Sequence, residues 1–92
     1  MRIGLTESFQ RDLSSLSDEE RDHLFSVMLK LPAAMKNPHL HSGLGLRKIH
    51  RSGIFEARAG LGFRVVFGIE AQTLVLHRAG SHDEIQRYLR SL

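Results

Sequence analysis

Apolar positions follow a helical period up to about residue 31 and a strand period from residue 46 onward. Arg2 to Leu5 is a short extended segment with apolar residues at 3 and 5. Thr6 suits a helix N-cap, and Glu7 supplies negative charge in the first turn, where the helix dipole favours it. Phe9, Leu13 and Leu16 then fall at i, i+4 and i+7, on one helical face. Ser17 and Glu20 form an S-x-x-E capping box, with acidic residues at 18, 19 and 20, and so mark a second helix start. Leu24, Phe25, Met28, Leu29 and Leu31 make a broad apolar stripe. Pro32 predicts that this helix stops there, because proline removes an N–H and clashes with the preceding turn. Ala33 to Gly45 reads as loop, punctuated by Pro38, Gly43 and Gly45.

From Leu46 to His50, Leu46, Lys48 and His50 alternate with Arg47 and Ile49, as in an edge strand where basic side chains discourage unwanted pairing. Arg51-Ser52-Gly53 turns into a strand over Ile54 to Ala59, with Phe55 and Ala57 on one face and Glu56 and Arg58 on the other. A second turn at Gly60-Leu61-Gly62 leads to Phe63–Ile69, apolar apart from Arg64, as a covered central strand would be. Glu70-Ala71-Gln72 turns again, and Thr73 to Ala79 is a further strand. Ser81 with Glu84 opens a second capping box, followed by a short helix to about Arg90 with Ile85 and Leu89 inward.

The predicted order is β-α-α-β-β-β-β-α, which contracts to β-α-α-β-β-β-α without the segment at 46–50. This is a single α+β domain over residues 1–92, a small antiparallel-rich sheet with an N-terminal helical hairpin on one face and a short C-terminal helix. One helical layer is enough for a chain of this size. The helices are therefore expected on one face, leaving the other open for binding.

Composition narrows the function classes. There are no cysteines, which excludes a disulfide scaffold and a cysteine-based zinc site and suits the cytoplasm. No apolar run reaches the ~18 residues of a membrane span, and MRIGLTESF lacks a signal-peptide core. Residues 1–46 carry five basic and six acidic side chains, whereas residues 47–92 carry eight basic and four acidic. Ten of the thirteen basic residues are arginine, whose planar fork fits phosphate. A basic second half points either to nucleic acid or to an acidic protein partner. His39 and His41 form an H-x-H pair, but zinc needs three or four ligands and no accompanying motif supplies them, so neither metal nor other cofactor is expected.

Arg64 is the sharpest candidate. It is either a solvent-face arginine paired with Glu56 on the neighbouring strand or a phosphate clamp held on a rigid element. His82 opens the last helix and can exchange a proton near neutral pH. Tyr88, the only tyrosine, is either a packing residue or a platform for a base. Lys48, His50, Arg51 and Arg58 can form a stripe along a phosphate backbone with Arg64, and Arg78 ends the strand before His82.

The IFEAR strand, the GFRVVF strand, TLVLHRAG and the closing GSHDEIQRY, taken in order after a strand and two helices, resemble the RelE/ParE superfamily of bacterial toxin–antitoxin toxins over nearly the whole chain. That resemblance implies either a RelE-like endoribonuclease cutting mRNA in the ribosomal A site or a ParE-like inhibitor of DNA gyrase without RNA chemistry. An inactive, binding-only member of the fold is a third possibility. It also implies a cognate antitoxin on a separate chain. Carried over by position, Arg64 falls on the strand arginine that holds the scissile phosphate. His82 falls where members place a catalytic arginine or histidine, and Tyr88 on the C-terminal tyrosine that stacks on the nucleotide. Lys48, His50, Arg51, Arg58 and Arg78 are then phosphate-binding candidates. The second hairpin strand lacks the family's lysine, so the general base is open among His82, His50 and Glu56.

Overall fold

The computed structural model describes residues 1–37, 43–60 and 62–92. Its elements run β1 (Arg2–Leu5), α1 (Glu7–Ser14), α2 (Asp18–Lys36), β2 (Arg47–His50), β3 (Ile54–Arg58), β4 (Phe63–Glu70), β5 (Thr73–Ser81) and α3 (His82–Arg90). The sheet has the order β1-β5-β4-β3-β2. β2–β3, β3–β4 and β4–β5 pair antiparallel, while β1 pairs parallel to β5 at one edge. The fold is α+β with a mixed, mainly antiparallel sheet.

Local chemistry sets the helix starts. The Thr6 hydroxyl accepts from the Phe9 N–H at 3.1 Å and donates to the His77 carbonyl at 3.0 Å, so the cap also pins α1 to β5. Both expected capping boxes are complete: Ser17 with Glu20 for α2, and Ser81 with Glu84 for α3.

One face of the sheet carries the main core. Phe9, Leu24 and Leu31 from the helices meet Ala57, Val65, Phe67, Leu74 and Leu76 from the strands, all fully buried, and the Phe55 and Phe67 rings stack at 5.7 Å. On α2 the buried ridge is Leu24, Val27, Met28, Leu31 and Ala34. Phe25 and Leu29, expected in the stripe, are 42% and 78% exposed because they lie about 100° around the helix from their neighbours on that ridge.

Two expectations are corrected. The second helix does not stop at Pro32 but runs to Lys36. Proline in a helix interior costs about 3 kcal/mol. Burial of Leu31 and Ala34 on either side, with the good helix formers Ala33, Met35 and Lys36, offsets that cost. Nor do all the helices share one face. Val66 and Ile85 are buried yet stand outside the main core cluster. Val66 alternates with Val65 and Phe67 and so points to the opposite face. Gly80 lies opposite Arg64 on that second face, where a side chain at Gly80 would meet Cβ and Oε1 of Glu84 in α3 at 3.2 Å. α3 therefore crosses the face expected to be open and leaves only part of it accessible.

Candidate active site

Strand alternation and register assemble a charged group on this second face. Arg47 pairs with Glu56 across β2–β3, Glu56 with Val66 and Arg58 with Arg64 across β3–β4, so these side chains share one side. Glu56 is 3% exposed. Its Oε1 faces Arg47 Nη2 at 3.3 Å and Arg64 Nε at 3.5 Å, and accepts from Arg47 Nε at 3.4 Å. Its Oε2 is buried without a hydrogen-bond partner among the described residues. Arg64 is also tied back to its own strand, donating from Nη1 to the Phe63 carbonyl at 3.2 Å. Arg58 stands directly opposite Arg64, an unfavourable placement for like charges unless an anion lies between them. Its guanidinium packs over Gly45, whose φ of +58° and lack of a side chain admit it.

His82 opens α3 beside the start of β4: Phe63 pairs with Ser81, the His82 N–H donates to the Gly62 carbonyl at 3.2 Å, and the residue is exposed. His82, Gln86 and Arg90 lie at i, i+4 and i+8 on one ridge of α3. Gln86, Leu89 and Arg90 line an open groove of about 410 Å³ against Arg47, Lys48 and Ile49 of β2. The C-terminal part of that ridge thus faces β2, which carries Arg47.

Tyr88 is set against Arg78. It belongs to the next ridge with Glu84, facing β5, where its ring centroid lies 5.5 Å from Arg78 Cζ. Arg78 is itself held in a fork by Asp12, from Nε to Oδ2 at 2.8 Å and from Nη2 to Oδ1 at 3.2 Å. Those hydrogen bonds raise the Arg78 pKa above its ordinary value against the opposing effect of burial. The Glu84 carboxyl is held below the usual range chiefly by hydrogen bonds from Ser81.

The expected basic stripe divides. Arg58 and Arg64 stand on the second face, Lys48 pairs with Phe55 toward the helical layer, and His50 and Arg51 sit at the hairpin tip. His50 Nδ1 accepts from the Ser52 N–H at 3.2 Å and lies 2.6 Å from its hydroxyl, so the ring proton of the neutral imidazole is on Nε2. Arg78, opposite Val66, shares the second face with Arg58 and Arg64 but is taken up by Asp12. Glu56, a candidate general base, is 3% exposed, with Arg47 and Arg64 both against its Oε1. Two residues escaped the sequence reading of the site. Arg47 was within reach, because folding the hairpin about residues 51–53 sets it against Glu56; Asp12 carried no local signal. His39 and His41 lie outside the described residues. Among those residues no group of three or more His, Asp or Glu is placed to hold a metal, and no helix is long and apolar enough to cross a membrane.

No family model and no curated protein matches the chain. Solved structures do. YafQ from E. coli strain BL21(DE3) matches with a TM-score of 0.73 at 16% identity, over 92% of this chain and 98% of its own. A copper-bound mutant toxin from Helicobacter pylori matches with a TM-score of 0.70 at 25% identity, again over 92% and 98%. The structure of the RelB–RelE antitoxin–toxin complex from Methanococcus jannaschii matches with a TM-score of 0.65 at 16% identity, over 92% of this chain and 96% of that one. This is the RelE-type toxin fold. Within the RelE-type frame, the Arg47–Glu56–Arg64 group lies on the face crossed by the terminal helix, and His82 opens that helix.

Proposed function

We propose that this chain is the toxin of a type II toxin–antitoxin pair, an endoribonuclease that cuts mRNA on the ribosome and so blocks translation. The observation that carries the reading is the convergence of Arg64 and Arg47 on the buried Glu56, with the exposed His82 held by its backbone N–H to Gly62, just before the strand that bears Arg64. Similarity to structures of toxins, some solved with the antitoxins DinJ or RelB, supports it.

RNA scission of this type needs no cofactor. The ribose 2′-oxygen attacks the adjacent phosphorus as its proton passes to a base. The bond from phosphorus to the 5′-oxygen breaks, leaving a 2′,3′-cyclic phosphate, and the leaving oxygen takes up a proton from the imidazolium or from solvent. His82 suits the proton transfers because it is exposed. Arg64, with Arg58 opposite, suits stabilisation of the phosphorane. Glu56 then acts as the carboxylate that fixes the arginines, so that little reorganisation is needed as charge develops. The partners in this reading are mRNA, the ribosome and an antitoxin on a separate chain, all in the cytoplasm. An acidic or amphipathic antitoxin segment would complement the basic face.

Induced expression of wild type, Arg64→Ala and His82→Ala with mapping of mRNA 5′ ends tests this. The expected result is growth arrest with codon-phased cuts in wild type and loss of both in the variants. Arrest without such cuts, accompanied by inhibited DNA supercoiling, would replace the reading with a gyrase inhibitor. Unimpaired growth at verified expression would leave a binding-only protein.

A further inference from the structure

β1 leaves the sheet early. Its last pairing is Leu5 with Leu76, and β5 continues to Ser81 without a strand partner on that side. α1 runs along this bare edge. Asp12 Oδ2 accepts from the Ala79 N–H at 2.9 Å and so satisfies a donor that β1 would otherwise have taken. The same carboxylate holds Arg78 through two further hydrogen bonds, with 15% of the Asp12 side chain and 35% of the Arg78 side chain exposed. The far side of the guanidinium meets the Tyr88 ring. An unbroken chain of contacts thus runs from α1 through Asp12, Arg78 and Tyr88 into the last turns of α3.

α3 needs such a tie. It has nine residues, and an isolated helix of that length is not stable in water. Its N-terminus is held by the capping box and by the His82 N–H on the Gly62 carbonyl, and its one buried side chain is Ile85. All of these lie in the first half of the helix. Tyr88 lies in the second half and has no hydrogen bond to the sheet through its hydroxyl among the described residues.

We infer that Asp12 is a positioning residue: it orients Arg78 as a fixed cationic platform for Tyr88 and thereby docks the C-terminal half of α3 over the sheet. Asp12 reaches the helix only through Arg78. The consequence for RNA cleavage rests on the reading above, since α3 carries His82; the docking itself does not.

Tyr88 is the only tyrosine and the chain has no tryptophan, so tyrosine fluorescence reports this one ring. The test compares Asp12→Asn and Arg78→Lys with wild type by acrylamide quenching and by amide hydrogen exchange. Asparagine keeps an oxygen for the Ala79 N–H but loses the carboxylate fork, and lysine keeps the charge but loses the planar fork. Both variants should raise the quenching constant toward that of free tyrosine and speed exchange in α3 while leaving β5 unchanged. The double variant should add nothing further. Should Asp12→Asn fail to fold, Arg78→Lys carries the comparison alone. Wild-type quenching in folded variants would overturn the inference, and so would a quenching change that appears only alongside faster exchange throughout the chain.

Discussion

Arg64 and Glu56, on neighbouring strands, meet at 3.5 Å through one carboxylate oxygen that Arg47 shares from the third strand. The two arms are unequal. The Arg64 side chain is 21% exposed and that of Arg47 is 61% exposed. Water screens the Arg47 arm, so it contributes about 0–1 kcal/mol. The Arg64 arm works in a less hydrated setting.

Glu56→Gln keeps the volume and removes the charge. Arg64 and Arg47 then lose the carboxylate that they share. The unfolding free energy should fall by about 1–3 kcal/mol, read from urea denaturation near neutral pH. Arg47→Ala should cost less. A Glu56→Gln midpoint equal to wild type would show that the buried carboxylate does not stabilise this face.

The β4–β5 turn offers a stabilising change. Ala71 and Gln72 both adopt positive φ, at 48° and 65°, between the paired Glu70 and Thr73. This left-handed region costs a residue with a side chain about 1–2 kcal/mol. Gln72→Gly should raise stability by about 0.5–1 kcal/mol after the added chain entropy of glycine in the unfolded state. Thermal unfolding would register it, and a lowered Tm would contradict it.

Acid should loosen α3 through its cap. Glu84 is ionised more readily in the folded chain than its ordinary 4.5 because of the Ser81 hydrogen bonds. A depressed carboxyl pKa gives stability that is present above the unfolded value and lost as pH falls through the folded one. Glu84→Ala should therefore cost a few tenths to about 1 kcal/mol near neutral pH. The gap from wild type should close progressively below pH 4.5. Parallel denaturation series over pH would show the closure; a gap independent of pH would assign the loss to packing against Gly80 instead.

The two capping boxes, the three hairpins and the placement of Arg64 with Glu56 follow from local rules, because period and turn chemistry fix which side chains share a strand face. Position of α3 does not follow from them. Ile85 and Leu89 give that helix an apolar side without saying which face of the sheet it meets, and the choice depends on Val66 needing cover. Asp12 was illegible for a related reason. Its partners lie 66 and 67 residues away, and it matters only because β1 ends at Leu5 and exposes the edge of β5. Tyr88 entered the site reading through the family resemblance; its contact with Arg78 depends on how α3 is docked and had no local signal.

Cleavage of a ribosome-bound mRNA by purified protein, followed with and without a single 2′-deoxy substitution at the cut nucleotide, addresses the proposed chemistry most directly. Wild type should cut the ribose substrate to a 2′,3′-cyclic phosphate and leave the deoxy substrate whole. Arg64→Ala should slow the cut by about 10²–10³-fold. Cutting that persists at the deoxy position, or an undiminished rate in Arg64→Ala, would contradict it.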